Sequence, residues 1–170
     1  MATCTLNKQF AYNDDVFFGI ALKDWVDKVH AYMSKQYQWT PYRPLQPGAF
    51  GFDNIAMSVG FVFSRHPKFS SSVASQQHPI DVLDLVSIAE HVHDGWCANY
   101  VFWRDAAEID ETRYKRPYSP LGDERRNLCA VTPYNNLPDD EKEKDLTIAK
   151  CLLEHFDATD ATSTSNNTTN

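Results

Sequence analysis

Residues 117–156 read PYSPLGDERRNLCAVTPYNNLPDDEKEKDLTIAKCLLEHF, and the fold turns on how this stretch is read. Its second half carries a well-marked helix start. Pro138 stands where a first helical turn accepts proline, since the missing N–H would have no intrahelical partner there. Asp139, Asp140 and Glu141 follow, where the positive end of the helix dipole favours carboxylates. Leu146, Ala149, Leu153 and Phe156 then recur at helical spacing, with Ile148 and Leu152 widening the stripe. One face is made for a core and the other for water, so the spacing predicts a helix over 139–156. The first half reads differently. Pro117, Pro120 and Gly122 interrupt any regular element, and the alternation at Leu128, Ala130 and Thr132 predicts a short extended piece that Pro133 stops.

Working outward, a second long helix is expected near residues 85–100. Leu22, Trp25, Val26, Val29 and Tyr32 share one broad helical face, with Asp14 or Asp15 as the cap. Pro41, Pro44, Pro47, Gly48 and Gly51 predict a long irregular loop studded with Trp39, Tyr42, Phe50 and Phe52. Asp53 is the expected cap of a short helix containing Ile55 and Met57, and Val59–Phe63 is too short to choose between helix and strand. His66-Pro67 and the serines at 70, 71, 72 and 75 punctuate the chain. The fold expected is a compact, mainly α domain with minor extended segments. The alternative is α+β, with residues 59–63 pairing with 128–132. Residues 1–78 form an N-terminal half and a candidate helical partner of 79–156. Residues 157–170, rich in Ala, Thr, Ser and Asn, read as a disordered tail that cannot repay its ordering entropy.

The 170-residue chain is 42% hydrophobic and carries a formal charge of −7, enough apolar content for a core and the wrong sign for broad nucleic-acid binding. Lys115, Arg116, Arg125 and Arg126 offer a local basic patch or simply a solvated loop edge. No apolar run approaches the roughly 18 residues of a membrane span, and the N-terminus lacks a signal-like pattern, so a cytoplasmic protein is expected. Cys4, Cys97, Cys129 and Cys151 are dispersed, without zinc or disulfide spacing, and read as reduced thiols in apolar surroundings.

Two stretches resemble the RyR domain, the repeat named after ryanodine receptor channels and also found alone in prokaryotic and phage proteins. Val131-Thr132-Pro133-Tyr134-Asn135-Asn136-Leu137-Pro138 with Glu141-Lys142-Glu143-Lys144-Asp145 is similar to that family's turn and final helix. Ser87-Ile88-Ala89-Glu90-His91-Val92-His93-Asp94-Gly95-Trp96 resembles its first helix, with His93 and Trp96 in the histidine and tryptophan positions. The resemblance covers roughly 79–156. Val101-Phe102-Trp103 stands where the family has a Gly-Trp pair, and Tyr118 to Arg126 where it has a short Asp-Lys-rich loop. In the first half, Val29-His30-Ala31-Tyr32-Met33 resembles the His-containing first helix of phage-type members, with Trp39 and residues 54–63 in the following loop and helix.

The resemblance implies an adenine-nucleotide pocket, with His93 and Trp96 as its carried-over residues. Where relatives have a basic residue one turn beyond the tryptophan this chain has Tyr100, which leaves phosphate contacts to Arg104, Arg125 or Arg126. Trp39 or Tyr42 would face Trp96 if the two halves packed face to face. Two readings of Trp96 stand: a stacking platform, or a core residue with His93 as its hydrogen-bonded neighbour. The function implied is non-enzymatic binding of a nucleotide or nucleotide-derived signal. In a phage setting that becomes cyclic-nucleotide sequestration in the host cytoplasm. The competing expectation is a structural or protein-interaction module, homo-oligomeric in one form, using the aromatic and Pro-rich segments 39–52 and 114–134. No Walker loop, His-Glu-x-x-His motif or serine elbow is present, and His91 and His93 diverge on a helix, so no catalytic residue, metal or cofactor is expected.

Overall fold

A computed structural model describes residues 15–70, 82–109 and 120–164. Expectations for Cys4, Asp14, Lys115, Arg116, Pro117 and residues 165–170 fall outside them. The described chain is mainly α-helical with one two-stranded sheet, in the order β1 (Val16–Phe17), β2 (Ile20–Ala21), α1 (Leu22–Gln36), α2 (Phe50–Arg65), α3 (Pro67–Ser70), α4 (Val82–Ile109), α5 (Pro120–Ala130), a 3₁₀ turn (Tyr134–Asn136) and α6 (Asp139–Thr164).

The centre of the fold is α2. Apart from its ends and Asn54 it is buried all round, from Phe52 to Phe63, which is the pattern of a helix enclosed by neighbours rather than laid on a surface. Its Val59–Phe63 segment, ambiguous in sequence, is therefore helical. Helix α4 runs antiparallel to α2, since Ser58 Oγ donates to the Val92 carbonyl (3.0 Å) while Trp103 Nε1 donates to Asp53 Oδ2 (3.1 Å). The two backbones touch at Gly95, where a Cβ would lie 2.6 Å from both the Met57 carbonyl oxygen and Ser58 Cα. Only glycine permits that approach. On the other side of α4 lies α6, whose Ile148, Ala149, Leu152 and Leu153 enter the same core as Ile88, Ala89 and Val92.

Helix α1 closes the core with Leu22, Trp25, Val26 and Val29, all fully buried. Trp25 meets Phe63 of α2 at 4.9 Å and His155 of α6 at 4.7 Å between ring centroids, so one indole joins three helices.

Four local expectations are corrected. The apolar run before α1 is a hairpin, with register Val16↔Ala21 and Phe17↔Ile20, not part of a helix capped by an aspartate side chain. Phe18 and Gly19 both take positive φ, 54° and 76°, as a two-residue hairpin turn demands, and the Phe18 ring packs on Phe63 at 5.2 Å. Asp15 serves α1 through its backbone carbonyl, which accepts from Leu22 N at 2.8 Å. Helix α2 begins at Phe50, three residues before Asp53; that carboxylate is buried and meets Trp103 instead of capping the helix. Residues 128–130 are not extended. They end α5, which Pro120 opens just as Pro138 announces α6, so the α+β pairing of 59–63 with 128–132 is absent. Finally, α6 continues past Phe156 to Thr164, since adding residues to a formed helix costs far less than starting one.

No helix among the described residues is long and apolar enough to cross a membrane.

Candidate functional site

On α4, the spacing 93, 96, 100, 104 places four side chains on one face. Their planes align. His93 and Trp96 are stacked with centroids 6.1 Å apart and planes 8° apart, and Trp96 and Tyr100 at 5.2 Å and 3°. The Arg104 guanidinium carbon lies 5.9 Å from the Tyr100 centroid. Helix α5 ties down the far end: Asn127 Oδ1 accepts from Tyr100 Oη at 2.9 Å and from Arg104 Nη1 at 3.1 Å. Tyr100 is only 2% exposed, so it works as a helix-to-helix link, while Trp96 remains half-buried.

His93 sits at the junction of α4, α6 and the turn after α5. Its Nε2–H donates to the Thr132 carbonyl at 2.9 Å, and Nδ1 faces Asp145 Oδ2 at 3.5 Å. Both nitrogens face acceptors, which only the doubly protonated imidazolium satisfies as a donor on each side. Burial opposes charge on the ring, but Asp145, Cys97 and the Thr132 carbonyl outweigh it and lift the His93 pKa to about 10. Burial also pushes the Asp145 carboxyl up, against the pull of His93. The shared proton belongs on the imidazole, because His93 has the second acceptor to serve and Asp145 does not. His91, two residues earlier, points elsewhere, bonding to the Ser87 carbonyl and packing on His66.

Beside this pair is a cavity of about 110 Å³. Trp96 and His93 from α4, Asn54 and Ser58 from α2, and Glu141, Lys144 and Asp145 from α6 line it, with Met33, Cys129, Leu137 and Ile148 completing the wall. Asn54 Oδ1 is buried there without a hydrogen-bond partner, as are both polar side-chain atoms of Asn99, one turn beyond Gly95 on the same α2–α4 seam. A cavity of roughly 150 Å³ accepts benzene, so this one has the scale of a single small ring and not of a whole nucleotide.

The remaining candidates lie apart. Arg125 is paired with Asp140 and, at 2.9 Å, with Glu141, which commits its guanidinium to the start of α6. Arg126 is half-buried on the same helix α5. Trp39 and Tyr42 do not face Trp96. They flank His30, at 5.9 and 5.5 Å between centroids, and with Lys35, Gln38 and Thr40 they border a larger open depression beyond the end of α1.

Sequence reasoning missed Asp145, Thr132, Asn54 and Lys144. For Asp145 a signal existed: it falls three residues before Ile148 and seven before Leu152, on the apolar stripe of α6, where a carboxylate needs a buried cationic partner. Of the thiols, Cys129 and Cys151 are buried as expected, whereas Cys97 is partly exposed beside His93. Among the described residues no group of three or more His, Cys, Asp or Glu side chains is arranged to hold a metal ion. No family model, curated protein or solved structure matches the chain.

Proposed function

We propose that this chain is an RyR-like, non-enzymatic binding module for a nucleotide or nucleotide-derived signal, with the heterocycle held in the cavity against Trp96. The observation that carries this reading is the cavity itself: an indole face, a charged His93–Asp145 pair and an unpartnered amide oxygen of Asn54 converge on a space of ring size. A heterocycle offers an N–H donor for Asn54 and a ring to lie against the half-buried indole, which His93 and Tyr100 already hold in a stack. Further support comes from the two sequence stretches that resemble the family. They meet in space, since His93 of the first contacts both Thr132 and Asp145 of the second.

With only the base inside, sugar and phosphate stay at the mouth. Lys144, whose side chain is 59% exposed at the cavity edge and paired with one carboxylate, Glu141 at 3.3 Å, suits a phosphate better than Arg125, which is paired with two. Calorimetric titration with mono-, di- and cyclic nucleotides tests the proposal. Binding that Trp96→Ala abolishes in a folded protein supports it, and heat signals absent at high micromolar ligand defeat it.

A second reading, a protein-interaction module, has its own observation. Trp39 and Tyr42 are 46% and 45% exposed and both pack on His30, and aromatic residues are enriched at interfaces.

A further inference from the structure

Cys97 lies one helical turn after His93, and its Sγ is 3.3 Å from His93 Nε2. On the far side of the same ring, Nδ1 faces Asp145 Oδ2 at 3.5 Å. A thiol beside an imidazolium that a carboxylate holds in place is the arrangement in which a sulfur nucleophile is favoured as its thiolate. The geometry is not duplicated at the other described cysteines. Cys129 and Cys151 are 7% and 8% exposed, and burial pushes both thiols up, Cys151 to about 12. Cys97 alone among them combines partial exposure with an adjacent imidazolium, the environment in which thiols react.

We propose that Cys97 is a nucleophilic thiol, activated by His93 and Asp145, that undergoes exchange with low-molecular-weight disulfides to give a reversible mixed disulfide on this helix. The thiol proton leaves to solvent and the thiolate pairs with the protonated imidazole. Sγ then attacks one sulfur of the disulfide; the new Cys97–sulfur bond forms as the old S–S bond breaks, and the departing thiolate takes a proton from solvent. The Cys97 sulfur is oxidised and the released sulfur reduced, so no further oxidant enters. Charged groups around the ring come from α6, where Asp145 meets it directly and Glu141 and Lys144 share the cavity wall; from α5, Cys129 lines the same wall and its carbonyl lies 4.0 Å from Sγ. Helices α1 and α2 contribute Met33, Asn54 and Ser58 to that wall, none of which titrates.

The test is reaction of the whole protein with oxidised glutathione, followed by intact mass and peptide mapping over pH 6–8. Cys97 is expected to react at least about tenfold faster than Cys129 and Cys151, with a rate rising much less than the roughly tenfold per pH unit of an unassisted thiol. His93→Gln is expected to lower the Cys97 rate at pH 7 by about tenfold and to restore the steep pH dependence. Because that variant removes a buried charge and can unfold, the wild-type pH profile stands as the second measurement. Equal rates at the three cysteines, or a wild-type Cys97 rate that climbs as steeply as a free thiol, would overturn the proposal.

Discussion

Two aromatic groupings of this chain look alike in sequence: Trp96 three residues after His93, and Tyr42 three residues after Trp39 with His30 upstream. The fold treats them oppositely. The first lies on the long helix α4, where α2 and α6 close over it and supply Asn54 and Asp145. The second gathers at the C-terminal end of α1, where a His30 nitrogen meets the Arg43 carbonyl at 3.0 Å and both large rings stay nearly half in solvent. An imidazole beside an indole is thus no site until other elements bring a counter-charge to it.

The largest difference is expected from Asp145→Ala. It leaves a buried imidazolium facing no carboxylate, a loss of about 3–5 kcal/mol for breaking a buried pair from one side. Asp140→Ala removes an exposed, solvent-screened partner of Arg125 and should cost far less. Urea midpoints measured side by side decide it. Similar losses in both would mean that the His93–Asp145 contact carries no special stability.

The same pair predicts a pH dependence. Its folded-state pKa of about 10 lies above the ordinary histidine value of 6.5, so the folded state holds the proton more tightly than the unfolded chain. That stabilisation is complete below the unfolded pKa and is lost as pH rises through the folded one. Between those limits the slope approaches about 1.4 kcal/mol per pH unit for one proton. Urea melts of wild type and His93→Gln between pH 6.5 and 10 should therefore converge as pH rises. Parallel curves would place the proton elsewhere.

Helix starts and faces were legible in sequence where a local signal coincided with a long period. Pro138 and the following carboxylates located α6, and Leu22, Trp25, Val26 and Val29 located the buried face of α1. Short segments were not legible, because neighbours decide them: Val59–Phe63 is helical since α1, α4 and α3 surround it, and Phe18 accepts positive φ in a hairpin where Phe63 receives its ring. Pro120 looks like a breaker in sequence yet opens α5, the same residue type in the same role as Pro138. At the site, His93, Trp96 and Tyr100 came from one helix and one spacing. Asp145, Thr132 and Asn54 did not, being 52, 39 and 39 positions away in the chain and joined to the site only by packing.

Truncating the enclosed indole should have an intermediate effect. Trp96 is half-buried, so Trp96→Ala loses about 2 kcal/mol, less than the roughly 3–5 kcal/mol of a fully buried aromatic. Nucleotide affinity should fall further than that loss of fold stability implies, because stacking contributes about 1–3 kcal/mol per base. Arg125→Ala is the contrast just outside the cavity: its guanidinium already serves Asp140 and Glu141, so the change in affinity should be small and should shrink further with added salt. An affinity loss for Arg125→Ala equal to that for Trp96→Ala would move the ligand from the cavity to the α5–α6 junction.

The smallest effect is expected at the open grouping. Trp39→Ala removes a ring that is nearly half in water, stacked on Tyr37 at 5.5 Å and tilted against His30. Both neighbours have anchors without it, Tyr37 Oη at Thr147 Oγ1 (3.0 Å) and His30 at the Arg43 carbonyl. The change in stability should stay within about 0.5–1 kcal/mol, and nucleotide titrations should be indistinguishable from wild type, since Trp39 does not line the cavity. What the substitution can alter is association. If the patch holds a second copy of the chain, sedimentation velocity will show a concentration-dependent dimer in wild type that Trp39→Ala weakens. A wild-type monomer at every concentration leaves this surface without a self-partner, and a nucleotide affinity that drops in Trp39→Ala would reverse the assignment of the two groupings.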